Sequence, residues 1–197
     1  MPDRLPKYAP GDLDAERRAV YDAIAGGPRA SGPQLFRLTD DEGRLEGPFN
    51  AMLASPGVGM ALQRLGSAIR FETALSDRCR EIAILTLAAV RDSAFEWYAH
   101  EPIGRQAGLT QDELDALRVG DRPVTLSTSE SVTLETVAAL LDHRDLDDEQ
   151  FERARQALGV EQLVELVTLT GYYDLLALAL RAFRVPLPDD ASEPRSQ

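Results

Sequence analysis

Glu96 and His100 are the pair of residues best suited to chemistry in this chain. They stand four apart in Glu96-Trp97-Tyr98-Ala99-His100, so on a helix they share one face. A carboxylate beside an imidazole can fix the ring's orientation and raise its pKa, which makes a general acid/base pair. Glu81 is a third candidate. It directly precedes the apolar run 82–90, and a carboxylate at the rim of a core needs a partner because an unpaired buried charge is costly. Arg80, Arg91 or Arg105 could pair with it or clamp a substrate carboxylate. The plainer alternative is a surface i,i+4 pair and an ordinary glutamate at a helix start.

Other reactive side chains carry less. His143 stands beside Asp142 and Arg144 at an expected helix end, where it favours the helix dipole. Pro102, inside the helix that carries His100, deprives the Tyr98 carbonyl of its partner and bends the chain. Such a bend could open a cavity beside the acid/base pair, or be a tolerated kink. Cys79 is the sole cysteine, with no neighbouring His or second Cys, and reads as a structural or incidental thiol. Tyr172 and Tyr173 have the spacing of core aromatics. There is no phosphate loop, nucleophile elbow or zinc-ligand spacing, so no metal site is expected.

The elements that must position these groups are helices. Leu13 to Ala25 reads as a helix ended by Gly26-Gly27, and the Gly/Pro-rich 28–47 as a loop, with a short turn at Gln34–Leu38, of a length that often serves as a lid or subunit contact. Ser55-Pro56 marks a helix start, and Val58, Leu62, Leu65 and Ile69 recur on one face of the helix that follows. Ser76-Asp77 opens the apolar helix through Val90, and Ser93 to Ala107 forms the next, closed by Gly108. Thr110/Glu113, Ser127/Glu130 and Asp147/Gln150 are capping boxes, the first stapled by Leu109 and Leu114. Gly159 separates the last two helices, the second running to Phe183. Nothing shows the alternation of a strand. Six to eight helices and no sheet define an all-α bundle, with an N-terminal arm, helix and loop over 1–47, a helical domain over 48–185 and a polar tail over 186–197.

Composition narrows the function. There are 33 acidic residues against 21 basic, a net charge of −12, and Lys7 is the only lysine; no nucleic-acid partner is expected. The start, MPDRLPKYAP, lacks the apolar stretch of a signal peptide. The run 82–90 is too short to span a membrane, and 160–183 carries Glu161, Glu165 and Asp174. A cytoplasmic protein with no membrane partner is expected.

The segments Arg80-Glu81-Ile82-Ala83-Ile84-Leu85, Phe95 to Pro102 and Ala107-Gly108-Leu109 together resemble the carboxymuconolactone decarboxylase family, which shares the alkylhydroperoxidase D-like fold. Phe49 to Pro56 is similar to the family's segment before the core helices, and Glu161 to Asp174 to its closing helix. The resemblance covers roughly 45–185. It implies homotrimers or hexamers and a small carboxylate or lactone ligand. The peroxidase branch uses a Cys-x-x-Cys pair with an upstream glutamate and a histidine four residues after the second cysteine. Glu81 and His100 match the glutamate and histidine, but Ser93 and Glu96 take the cysteine places, so thiol peroxidase chemistry is excluded for lack of sulfur. The decarboxylase branch implies a cofactor-free lyase, because a conjugated lactone is its own electron sink. His100 would then transfer a proton, Glu96 would tune it, and Glu81 would orient. Arg80, Tyr98, Asn50 and Tyr172 form the expected substrate-binding set. A hydrolase or isomerase on the same scaffold, or a non-catalytic binding protein, are the competing readings.

Overall fold

Helix starts follow the capping signals. In the computed structural model the described residues are 4–31, 35–188 and 191. Among them are eight α-helices and no strand: α1 (Ala15–Ala25), α2 (Pro48–Ala54), α3 (Pro56–Phe71), α4 (Asp77–Val90), α5 (Ala94–Gln106), α6 (Gln111–Arg118), α7 (Thr128–His143) and α8 (Asp148–Phe183). Asp14 and Ser76 cap α1 and α4 by accepting from backbone N–H groups one turn on. All three capping boxes close reciprocally. Ser55 and Ser93 hold cap positions, but their hydroxyls make no capping bond. Gly159 lies inside α8 with φ +79°, a left-handed value open to glycine that divides the helix into two arms.

α4 is the axis of the fold. It packs against α5, α6, α7 and α8, and Cys79 through Ala88 are all buried. Such all-round burial explains a run too uniformly apolar to show a polar face. The segment 1–47 shares this core, since Val20, Ile24, Leu38 and Leu45 belong to one apolar cluster with α2, α4, α7 and α8. Gln34, where the short turn was expected to begin, lies outside the described residues, as does most of the tail beyond Pro188. Residues 38–46 instead form a tight reversal. Asp40 Oδ1 accepts from the N–H groups of Glu42 and Arg44, and an isolated bridge joins Thr39 to Leu45.

The face of α3 differs from the sequence pattern. Its buried residues are Gly59, Gln63, Gly66 and Ile69, while Val58 and Leu65 are exposed. Backbone proximity, not apolarity, selected that face. A Cβ at Gly59 would lie 2.0 Å from the Met52 carbonyl oxygen, and one at Gly66 2.2 Å from Tyr172 Oη. The stretch 148–183 is long and apolar enough to cross a membrane, but half of its most apolar window is buried within the protein. Its acidic residues serve the fold as well. Glu165 accepts from the N–H groups of Ala74 and Leu75, and Asp174 pairs with Arg91 at 2.6 Å.

Arg78 ties two capping boxes together. Its guanidinium bonds to Glu113 at 3.0 Å, to Glu130 and to the Gly108 carbonyl. Burial pushes Glu113 up, but bonds from the Thr110 N–H, Arg78 and Thr125 outweigh it and hold the carboxyl at about 2. Replacing Arg78 by Met strands two buried carboxylates, and urea unfolding at pH 7 should show a loss of about 3 kcal/mol. Glu113 has a depressed folded pKa, so its share of stability is present above its ordinary 4.5 and lost as pH falls toward 2. The gap between R78M and wild type should therefore narrow over that range.

Candidate active site

The cluster forms where α4 and α5 cross. Glu81, one turn into α4, is fully buried, and its Oε2 lies 2.7 Å from His100 Nδ1 on α5. A carboxylate only accepts, so this contact puts the imidazole proton on Nδ1 and turns Nε2 outward. Arg80 Nε stands 3.7 Å from Glu81 Oε1. Glu96, one turn before His100, brings its Oε2 to 3.7 Å from Nε2, beyond hydrogen-bond reach. The tight partner of the ring is thus Glu81, across the helix crossing, and not the i,i+4 neighbour. The i,i+4 spacing puts Glu96 on the right face but aims its carboxyl past the ring toward open space.

That space is a cavity of about 240 Å³ lined by Glu96, His100, Tyr172 and Tyr173, with aromatic and arginine walls. Phe36 from the 28–47 loop and Phe49 from α2 stack at 6.4 Å across it. Gly47, at φ +58°, lets the backbone before α2 pass close to another wall residue, since a Cβ there would fall 2.0 Å from Phe95 Cζ. Tyr173 meets His100 edge-on at 5.2 Å. The hydroxyls of both tyrosines find no hydrogen-bond partner among the described residues, and burial keeps both protonated, raising Tyr172 to about 12 and Tyr173 well above its ordinary value. They are donors awaiting an acceptor. Burial likewise raises Glu96 to about 7; His100 opposes this and the Glu81 charge adds to it. One oxygen of Glu96 and one of Glu81 are buried without a hydrogen bond.

Of the expected substrate-binding residues, Tyr172 lines the cavity and three do not. Arg80 is engaged by Asp77 and Glu81. Asn50 anchors the N-terminal arm, accepting from the Tyr8 N–H and donating to the Pro6 carbonyl. The Tyr98 hydroxyl accepts from the Arg37 N–H. Sequence reasoning passed over Arg29, Arg70 and Tyr173 as ligand contacts. The 28–47 loop had been marked as a possible lid, which is the one local signal pointing to Arg29. Cys79, the only thiol, is buried in the main core and does not reach the cavity. Among the described residues no group of three His, Cys, Asp or Glu side chains could hold a metal ion.

The carboxymuconolactone decarboxylase family model matches residues 56–139. This central segment is similar to that family. The family segment contains Glu81, Glu96, His100 and Arg70, while Arg29, Tyr172 and Tyr173 lie outside it. No curated protein matches the sequence. Among solved structures, a peroxidase-related protein from Ralstonia eutropha JMP134 with the alkylhydroperoxidase AhpD core superposes with a TM-score of 0.75. It is 14% identical, with 96% of this chain and 95% of that one covered. A peroxidase-related protein from Silicibacter sp. TM1040 gives 0.75 at 14% identity, covering 97% and 94%. A variant of the debrominase Bmp8, in complex with 2,3,4-tribromopyrrole, gives 0.70 at 12% identity, covering 96% and 94%. At these identities the likeness shows an AhpD-like fold and no more.

The raised Glu96 has a consequence for stability. A carboxyl whose folded pKa lies above its ordinary 4.5 contributes stability below that value and loses it as pH rises through about 7. Glu96→Gln, which stays neutral, should therefore gain on wild type between pH 5 and pH 8, by up to roughly 3 kcal/mol. Thermal melts of the two proteins at both pH values check this, and an unchanged difference in melting temperature would contradict it.

Proposed function

We propose that this protein is a lyase of the carboxymuconolactone decarboxylase type, acting on a small carboxylated lactone or unsaturated acid by proton transfer. The observation that carries the reading is the sheltered geometry of the cluster. Nε2 of a carboxylate-held imidazole and a carboxyl poised near neutrality face one small cavity. A solvated surface pair would have neither the burial nor the concavity. The volume is below the roughly 300–1,000 Å³ of drug-sized sites, which suits a single-ring ligand. The complex of a fold neighbour with tribromopyrrole supports the capacity of this scaffold for small flat molecules.

In this reading the bond from ring carbon to carboxylate breaks and carbon dioxide leaves. The electron pair passes into the conjugated carbonyl, whose oxygen accepts from Tyr172 or Tyr173. Neutral Glu96 or protonated His100 Nε2 then delivers a proton to carbon and is reprotonated from solvent, while Glu81 holds the ring in place. The conjugated acid takes up the electron pair itself, so the step calls for no added cofactor. Lack of a thiol at the cavity argues against peroxidase chemistry. We place the protein, as a soluble one, in the cytoplasm.

An exposed stripe on α8 supports self-assembly. Val160, Val164, Val167, Leu175 and Leu178 follow one another along one face, each 43% exposed or more. Gly171 stands among them with open space over it, so a second helix can approach closely. The occupant we assign is a second copy of this chain, in a trimer or hexamer.

Two measurements test these readings. Carbon dioxide release should be detectable from a panel of carboxylated lactones, and His100→Gln should lower kcat by about 10²–10⁴-fold. Product without carbon dioxide would reassign the chemistry to an isomerase or hydrolase, and unchanged turnover in the variant would remove His100 from it. Light scattering on the purified protein should give a multiple of 21.6 kDa, reduced by Val164→Glu. A wild-type monomer at micromolar concentration would rule out the assembly.

A further inference from the structure

Arginine usage in this protein is lopsided. Many of the arginines lie against carboxylates, as Arg44, Arg78, Arg91 and Arg105 do. Two others line the cavity. Arg70, in the last turn of α3, stacks over Phe71 at 5.6 Å and has no carboxylate within 4 Å among the described residues. Arg29 lies over the Phe49 ring at 5.5 Å, and its Nη1 donates to Gln63 Oε1 at 2.5 Å. In a chain of net charge −12, two cations facing one small, partly apolar cavity make an unusual local field.

We infer that Arg29 and Arg70 form an anion subsite on one wall of the cavity, which seats the substrate's carboxylate while its reacting carbon meets Glu96 and His100. This rests on the proton-transfer reading of the same cavity and names what that reading leaves open, the group that orients the ligand. Preorganisation favours it. Gln63 is buried, and its Nε2 donates to the Ala23 carbonyl at 3.0 Å, so its Oε1 is already aimed at Arg29. Gly66 leaves room beside them. A Cβ there would stand 2.9 Å from Arg29 Nη2 and 2.2 Å from Tyr172 Oη, so guanidinium and phenol meet over a bare stretch of backbone. Burial lowers the Arg29 pKa, and the Arg70 charge acts in the same direction. A planar carboxylate suits the guanidinium fork. Arg80, expected from sequence to hold such a group, already lies against Asp77 and Glu81.

The test is calorimetric binding of benzoate and of its neutral isostere benzamide, which requires no turnover. Wild type should bind benzoate at least about tenfold tighter, with a preference that weakens as salt rises. Arg70→Met and Arg29→Met should each remove most of that preference and leave benzamide binding within about twofold. Arg70→Lys should restore part of it, which separates a charge effect from a folding defect, and melting temperatures report the fold directly. His100→Gln should keep the benzoate preference whether or not it abolishes turnover, so the subsite and the proton-transfer reading fail independently. Equal binding of the two probes by wild type, no benzoate binding at tens of millimolar, or a full benzoate preference in both Met variants would overturn the inference.

Discussion

Glu81 is a carboxylate with no solvent exposure, placed in the helix around which the others pack. Alone in that position a charge would be expelled or neutralised, because taking it out of water costs several kcal/mol even after relaxation. The short contact to His100 Nδ1 is what makes the arrangement tenable, and it constrains everything nearby. It fixes where α5 crosses α4, since the imidazole must arrive within hydrogen-bond distance. It sets the ring tautomer, which decides that Nε2 is the nitrogen facing the cavity. It also leaves one Glu81 oxygen served only by the more distant Arg80, so the carboxylate is not saturated and its charge continues to act on Glu96. A better-satisfied Glu81 would push Glu96 less.

The cavity is electrically divided as a result. On one side stand Glu96 and His100, with Glu81 behind the imidazole, and at neutral pH Glu96 is divided between its charged and neutral forms. On the other stand two arginines beside tyrosine hydroxyls. Neither half is a good place to bury charge by itself. The arginine wall favours an anion and the acid floor favours a proton donor, and a small acid that ends as a neutral or protonated product satisfies both. The two halves reach the cavity by different routes. The acids and His100 come from the crossing of two long helices, which is rigid. Arg29 comes from a 3-10 turn at Pro28–Ala30 and relies on Gln63 and Phe49 for its position.

What was legible in the sequence was local. Capping boxes are i,i+3 patterns whose two hydrogen bonds lie within one turn, and all three read correctly. The Gly159 break and the all-α class followed from similarly short-range signals. Errors begin where a partner arrives from elsewhere in the chain. The apolar face of α3 was misread because glycine at 59 and 66 permits a backbone approach that no hydrophobic pattern encodes. Glu96 was taken as the partner of His100 because spacing shows neighbours on one helix and not those across a crossing. Arg80 stood next to Glu81 in sequence and was the natural clamp; packing turned it toward Asp77 and brought Arg29, fifty residues earlier, to the cavity instead. Asn50, in the expected substrate-binding set, makes its bonds to the backbone of the N-terminal arm instead.

The division of labour along the chain explains how one scaffold can change its chemistry. Glu81 and His100 lie in the family segment, and Ser93 and Glu96 take the places that the peroxidase branch gives to sulfur. A carboxyl at position 96 cannot form a disulfide, but it can hold or release a proton, and burial has already moved its pKa into the range where both occur. Neither Ser93 nor Glu96 takes part in the short Glu81–His100 contact at the helix crossing. With Arg70 as the exception, the residues that would choose a ligand lie outside that segment: Arg29 and Phe36 before it, Tyr172 and Tyr173 after it. Tyr172 and Tyr173 also belong to the main apolar core, so they serve the packing of α8 as well as the cavity. In the proposed reading, proton transfer and ligand choice thus draw on largely different stretches of the chain that meet at one cavity.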